Sequence, residues 1–149
     1  MPLSEQDSYQ EVSLKEKPVK GTETVLLVDD EEIIIDVGKA MLERLGYHVI
    51  VAESGDKAVD AVRRKPYEID LVILDMIMPG MDGGKAFERI REIKPTMPVI
   101  LSSGYAIDGQ AAEIMKKGCN GFMQKPFNIS KLSQKIRKIL DATNASNQQ

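Results

Sequence analysis

Thr24-Val25-Leu26-Leu27-Val28-Asp29-Asp30 is a short β-branched and aliphatic run that stops abruptly on two carboxylates. Unbroken apolar character over so few residues marks a strand buried on both faces, as in a parallel sheet. The pattern recurs at Leu71-Val72-Ile73-Leu74, which ends on Asp75, and at Val99-Ile100-Leu101, which ends on Ser102-Ser103-Gly104. Between these runs the period changes. Ile34, Val37, Met41 and Leu45 recur at helical spacing and Gly46 stops them, as in an amphipathic helix with a glycine just past its end. Tyr47 to Ala52 reads as a strand, and Ser54 can N-cap a helix through about Arg64 that Pro66 breaks. A turn-rich loop, Met78-Pro79-Gly80-Met81-Asp82-Gly83, precedes a helix marked by Ala86, Phe87, Ile90 and Ile93. A weaker helix carries Ile114 and Met115, Gly121-Phe122-Met123 is a last short strand, and Ile129, Leu132, Ile136 and Ile139 build a final helix. Strands alternating with helices in this way imply right-handed crossovers and a five-stranded parallel sheet covered on both faces. The fold class is α/β, doubly wound.

The rest of the chain bounds the reading. With 149 residues, 42% hydrophobic and 29% charged, it holds about one ordinary domain. Residues 1–22 are polar, charged and aperiodic, and are read as a tail or linker; 23–141 form the domain and 142–149 a polar C-terminal tail. A net charge of −3 gives no electrostatic footprint for a phosphate backbone, so no nucleic-acid partner is expected. One cysteine, Cys119, excludes a disulfide framework, and one histidine makes any Ser/His/Asp triad depend on His48. Glu5, Asp7 and Glu11 are wrong for a signal peptide, and no apolar run approaches the roughly 18 residues of a membrane span. The expectation is a soluble, cytoplasmic protein with no membrane partner.

In doubly wound sheets, function gathers at the C-terminal ends of the strands. Those ends carry Asp29, Asp30, Asp75, Ser103 and Lys125, which the topology should bring into one cleft. Three carboxylates confined together raise one another's pKa unless a cation joins them. Mg²⁺ suits such a site, since it takes carboxylates, a carbonyl and waters in octahedral geometry. One carboxylate could then attack phosphorus to give an aspartyl phosphate, with the Lys125 ammonium neutralising the transferring oxygens and Ser103 donating a hydrogen bond to them.

Val28-Asp29-Asp30-Glu31, Leu74-Asp75-Met76-Ile77-Met78-Pro79-Gly80-Met81-Asp82-Gly83, Ser102-Ser103-Gly104-Tyr105 and Lys125-Pro126-Phe127 together resemble the receiver domains of two-component response regulators. The resemblance runs from about Glu23 to Leu140 and implies a flavodoxin-like sheet of order 2-1-3-4-5. It implies a phosphorylation-dependent signalling switch rather than an enzyme acting on a separate substrate, a receiver that promotes its own phosphorylation and dephosphorylation. The phosphodonor would be a phosphohistidine on a histidine kinase or histidine phosphotransfer protein. By motif, Asp75 is the phosphoacceptor; Asp30 ligates Mg²⁺ directly, Asp29 mainly through water, and the Ile77 carbonyl adds a ligand. Ser103 matches the hydroxyl switch position, Phe122 the aromatic switch and Lys125 the family lysine, with Lys125-Pro126 as a cis peptide. The resemblance further implies that Ser103 moves toward phosphorylated Asp75 and that the Phe122 ring turns into the vacated space. Phe122 lacks a tyrosine hydroxyl, so any inward state rests on apolar contact. Ile77 and Tyr105 occupy positions that govern water's approach to the phosphoryl group, and their bulk points to slow self-dephosphorylation.

Blander readings stand beside these. Ser102 competes with Ser103 but faces the other side of the strand. Phe122 could be a static core aromatic, Cys119 a small buried filler, His48 an inert imidazole, and Lys116-Lys117 a solvated face; Glu31 could merely favour a helix N-terminus. The alternatives are a receiver-like binding module that is never phosphorylated, or a Mg²⁺-dependent aspartyl-phosphate phosphatase of the haloacid dehalogenase type. The phosphatase wants a second acid two residues after the nucleophile, where Ile77 stands. Gly21-Thr22-Glu23-Thr24 leading into the first strand looks like receivers that follow kinase modules, which favours a piece of a hybrid sensor kinase over a stand-alone regulator. The downstream partner is not written in the sequence, and a homodimer is an open expectation.

Overall fold

The computed structural model describes residues 18–107 and 109–147. Most of the segment read as an N-terminal tail, with its Glu5, Asp7 and Glu11, lies outside the described residues. In chain order the elements are β1 (Thr24–Val28), α1 (Glu32–Arg44), β2 (His48–Ala52), α2 (Gly55–Arg64), β3 (Leu71–Asp75), α3 (Gly83–Ile93), β4 (Val99–Ser103), α4 (Gly109–Lys116), β5 (Gly121–Gln124) and α5 (Ile129–Asn147). The strands form one sheet of order β2-β1-β3-β4-β5 with every pairing parallel. The doubly wound α/β fold and its 2-1-3-4-5 order are therefore observed.

Strand alternation divides the core. Leu26, Val28, Val72, Leu74, Val99 and Leu101 point to one face and pack with Val59, Phe87, Ile90 and Ile114 of α2, α3 and α4. Val25, Leu27, Leu71, Ile73 and Ile100 point to the other and meet Ile35 and Leu42 of α1 and Leu132 and Ile136 of α5. This two-sided burial explains why the strands read as continuous apolar runs rather than as alternating ones. Each buried Leu or Ile contributes about 1.5–3 kcal/mol against exposure, which is ample reason for the strand registers to hold.

Local signals set the helix ends. Ser54 Oγ accepts from Lys57 N–H at 3.2 Å and Asp82 Oδ1 from Lys85 N–H at 2.9 Å, so α2 and α3 carry side-chain N-caps. Gly46 closes α1 with φ +100°, the left-handed conformation that glycine adopts freely. α5 runs on to Asn147, through the polar stretch from 142 that apolar periodicity assigns to a tail. Leu140 is its last buried residue among those described, and Thr143 Oγ1 donates back to Ile139 O at 2.9 Å. Residues 19–22 are likewise fastened to the domain rather than free of it: Val19 N–H donates to Ser133 Oγ and Gly21 N–H to Leu45 O. Among the described residues no helix is long and apolar enough to cross a membrane.

Candidate functional site

The sheet registers bring the strand ends to one edge. Val28 pairs with Leu74, Asp75 with Ser102 and Ser103 with Gln124, so Asp29, Asp75, Ser103 and Lys125 leave the sheet within one cleft. The cleft encloses about 590 Å³ and is lined by Asp30, Asp75, Ile77, Ser103, Tyr105 and Lys125 among others. All the strand-end residues singled out from sequence are thus brought together.

Its centre is charged and mostly buried. Lys125 Nζ lies 3.0 Å from Asp29 Oδ2 and 3.2 Å from Asp75 Oδ1, and those carboxylates are 1% and 3% exposed. Asp29 is further held by the Glu31 N–H, which donates to its Oδ1 at 3.0 Å. Asp30, its neighbour in sequence, is exposed at the mouth. One ligand oxygen from each of Asp29, Asp30 and Asp75 falls within 4.8 Å of the others. Burial first, then the charge of Asp29, pushes the Asp75 carboxyl up to about 6, against the opposing pull of Lys125 and a backbone hydrogen bond from Ile77. For Lys125, burial acts to lower the ammonium, but the Asp29 hydrogen bond and the charges of Asp75 and Asp29 outweigh it and hold it above its ordinary range.

One lysine therefore faces two buried acids and a third at the rim, which leaves negative charge in excess. A small hard cation fits that donor set: carboxylate oxygens close enough to share one ion, and an opening through which it keeps waters. Burial is the larger cause of the raised Asp75 carboxyl and the charge of Asp29 the second; that second cause is what such an ion would neutralise.

Ser103 is 4% exposed, lines the cleft, and its Oγ accepts the Tyr105 N–H at 3.1 Å. Ser102 is 1% exposed and lies in register with Asp75 on the β3 side. Phe122 is half-buried against the α4 side of the core, opposite Leu101 in the register. Ile77 and Tyr105 are large and exposed at the mouth. Lys125-Pro126 is a cis peptide, as the resemblance implied. His48 is exposed on β2, away from the cleft-lining residues, and Cys119 is buried with Sγ 3.2 Å from Val99 O.

Two supports were missed from sequence. A Cβ on Gly83 would stand 2.5 Å from Asp75 O and 2.6 Å from Met76 Cα, so only glycine lets α3 press against the backbone that carries Asp75. The Gly83 N–H also donates to Met76 O at 2.9 Å. The other support is Asp82, whose side-chain cap begins α3; an Asp three residues before Lys85 at the start of an apolar-periodic stretch was the available signal.

A family model described as response regulator receiver domain matches residues 25–137. The chain belongs to that family. It is 35% identical over 136 residues to the sensor kinase CckA of Brucella abortus, covering 87% of this chain but only 14% of the kinase. A response regulator receiver domain protein from Clostridium thermocellum superposes with a TM-score of 0.79 at 30% identity, over 83% of this chain and 98% of that one. A CheX-CheY-BeF3-Mg²⁺ complex from Borrelia burgdorferi matches with a TM-score of 0.76 at 27% identity, over 84% of this chain and 97% of that one. As a receiver domain of two-component systems, the chain is of the class that accepts a phosphoryl group on an aspartate.

Proposed function

We propose that this chain is a phosphorylation-dependent switch in which Asp75 accepts a phosphoryl group from a phosphohistidine on a histidine kinase or histidine phosphotransfer protein. The observation that carries the reading is Lys125, bridging buried Asp29 and buried Asp75 in a cleft whose rim holds Asp30. Asp29, Asp30 and Asp75, with the Ile77 carbonyl, would hold Mg²⁺, which supplies positive charge against the transferring oxygens when bound.

Asp75 is the nucleophile by position. At neutral pH a carboxyl raised to about 6 is mostly ionised, and burial has stripped it of water that would otherwise shield it. One Asp75 oxygen forms a bond to phosphorus as the donor's N–P bond breaks, and that electron pair returns to the imidazole. Lys125 is placed to pair with a phosphoryl oxygen without leaving its seat. Ser103 Oγ is placed to donate to another, since in the unmodified protein it accepts a hydrogen bond and keeps its own proton available. Phe122, half-buried on the same core face, is the residue whose packing would register that movement. The consequence is a change in which proteins this surface binds.

The likeness to a sensor kinase from Brucella abortus supports the hybrid-kinase reading, and the 98% coverage of the Clostridium receiver protein supports the stand-alone one. The phosphatase alternative lacks its second acid, since Ile77 presents hydrocarbon to the mouth. Binding of beryllofluoride, a phosphoryl mimic, tests the proposal. It should require Mg²⁺ and Asp75, and it should shift the Phe122 ring resonances; binding that survives Asp75→Asn would contradict the assignment.

A further inference from the structure

Helices α2 and α3 each begin on a residue whose side chain caps them, Ser54 and Asp82, but α1 begins on Glu31, whose side chain caps nothing. The Glu31 backbone is in use: its N–H donates to Asp29 Oδ1 at 3.0 Å, and its carbonyl accepts from the Ile35 N–H at 3.1 Å. Its side chain is not. Among the described residues the Glu31 carboxylate has no hydrogen bond or ion pair; the residue is exposed and lines the same cleft as Asp30, Asp75 and Lys125. Glu32, the acid in the first turn of α1, is also exposed but does not line the cleft.

These two neighbours separate two explanations. A helix N-terminus favours an acid through its dipole, and that would serve Glu31 and Glu32 alike. Glu31 alone of the two adds its charge to the cleft. With Asp29, Asp30 and Asp75 it makes four carboxylates against one ammonium, Lys125, the one base among the described lining residues. The carboxylate oxygens close enough to share an ion come from Asp29, Asp30 and Asp75 and not from Glu31, so Glu31 is no direct ligand. A carboxylate outside the ligand set still acts on an ion, through the water the ion keeps. Four negative charges against one positive leave three in excess, and a divalent ion leaves one. An incoming phosphoryl group is itself an anion and meets that remaining charge.

We propose that Glu31 tunes this cleft in opposite senses, strengthening Mg²⁺ binding from outside the ligand set and opposing entry of the phosphoryl group. The inference rests on the reading of the cleft given above. As a free carboxylate on the cleft wall, Glu31 attracts the cation and repels the anion that must come to rest beside Lys125. Both effects come from one side chain, so removing its charge while keeping its shape moves the two affinities in opposite directions.

The test uses the full chain and its Glu31→Gln, Glu31→Asp and Glu32→Gln variants. Mg²⁺ affinity is read by calorimetry, and beryllofluoride affinity by fluorine NMR at saturating Mg²⁺. Glu31→Gln should weaken Mg²⁺ binding by about fivefold to tenfold, at or just under the usual range for groups outside the ligand set, because Glu31 is exposed. It should tighten beryllofluoride binding by about twofold or more, the size of a repulsion between charges across water. Both differences should shrink as salt is raised. Glu31→Asp, which keeps the charge, and Glu32→Gln, which loses one off the cleft, should stay near the unaltered chain in both affinities. Unchanged Mg²⁺ affinity in Glu31→Gln, an equal loss in Glu32→Gln, or a beryllofluoride affinity that fails to rise overturns the proposal and leaves the phosphoryl-acceptor reading standing. An unaltered chain that binds neither Mg²⁺ nor beryllofluoride overturns both.

Discussion

Lys125 Nζ stands 3.2 Å from Asp75 Oδ1, a contact between the ends of β5 and β3, which are not neighbours in the sheet. It exists because β4 between them ends on small Ser102 and Ser103, and because the Lys125 N–H is tied to Ser103 O at 2.7 Å. The same ammonium reaches Asp29, so one cation spans the ends of three strands.

Removing the cation should be costly. Lys125→Met leaves Asp29 and Asp75 buried and unpaired, and breaking a buried pair from one side destabilises by several kcal/mol. Urea unfolding in EDTA should show a loss on the order of 3 kcal/mol, with Mg²⁺ restoring part of it. Unchanged stability in EDTA would show that the bridge is not closed in solution.

Acidity should matter in a definite direction. Burial and Asp29 raise the Asp75 carboxyl from 3.8 to about 6. Between those values the folded chain holds a proton that the unfolded chain has released, so stability falls as pH rises across that window. Metal-free protein should lose about 1–3 kcal/mol from this group, and Asp75→Asn should remove that dependence. A series of unfolding curves at stepped pH checks it; stability that rises through the window is the contrary result.

Mg²⁺ should stabilise the fold by mass action. At about a hundredfold excess over its dissociation constant the gain is about 2.7 kcal/mol. Asp30→Asn should abolish most of that gain while leaving metal-free stability within about 0.5 kcal/mol, since Asp30 is exposed. Thermal melts with and without the ion separate the two effects, and an undiminished Mg²⁺ gain in the variant removes Asp30 from the ligand set.

The mouth should control lifetime. Ile77 and Tyr105 are 60% and 69% exposed and line the cleft that opens onto Asp75. Replacing both with asparagine should shorten the phosphoryl half-life about tenfold, some 1.4 kcal/mol off the barrier. Equal half-lives would refute the steric account.

Much of this was legible in the sequence because burial on two faces leaves a simple mark. The runs Val25-Leu26-Leu27-Val28 and Leu71-Val72-Ile73-Leu74 announce parallel strands, and their terminal acids lie where such sheets place function. Asp29 and Asp30 are adjacent, and nothing in their order says that the first is buried against Lys125 while the second faces water. The ion pair between Glu23 and Arg137 was invisible for a different reason: the two are 114 positions apart, and a polar residue in an aperiodic segment carries no signal of its partner. The reach of α5 past Leu140 was hidden likewise, because Asp141, Ala142 and Asn144 are exposed and continue no apolar period.

The most direct measurement is intact mass after incubation with a small phosphodonor and Mg²⁺, beside Asp75→Asn and a metal-free control. A single Mg²⁺-dependent phosphoryl adduct, absent from the variant, is the expected result. An adduct that persists in Asp75→Asn, or no adduct together with no binding of beryllofluoride, would contradict the account and leave a domain that signals by contact alone.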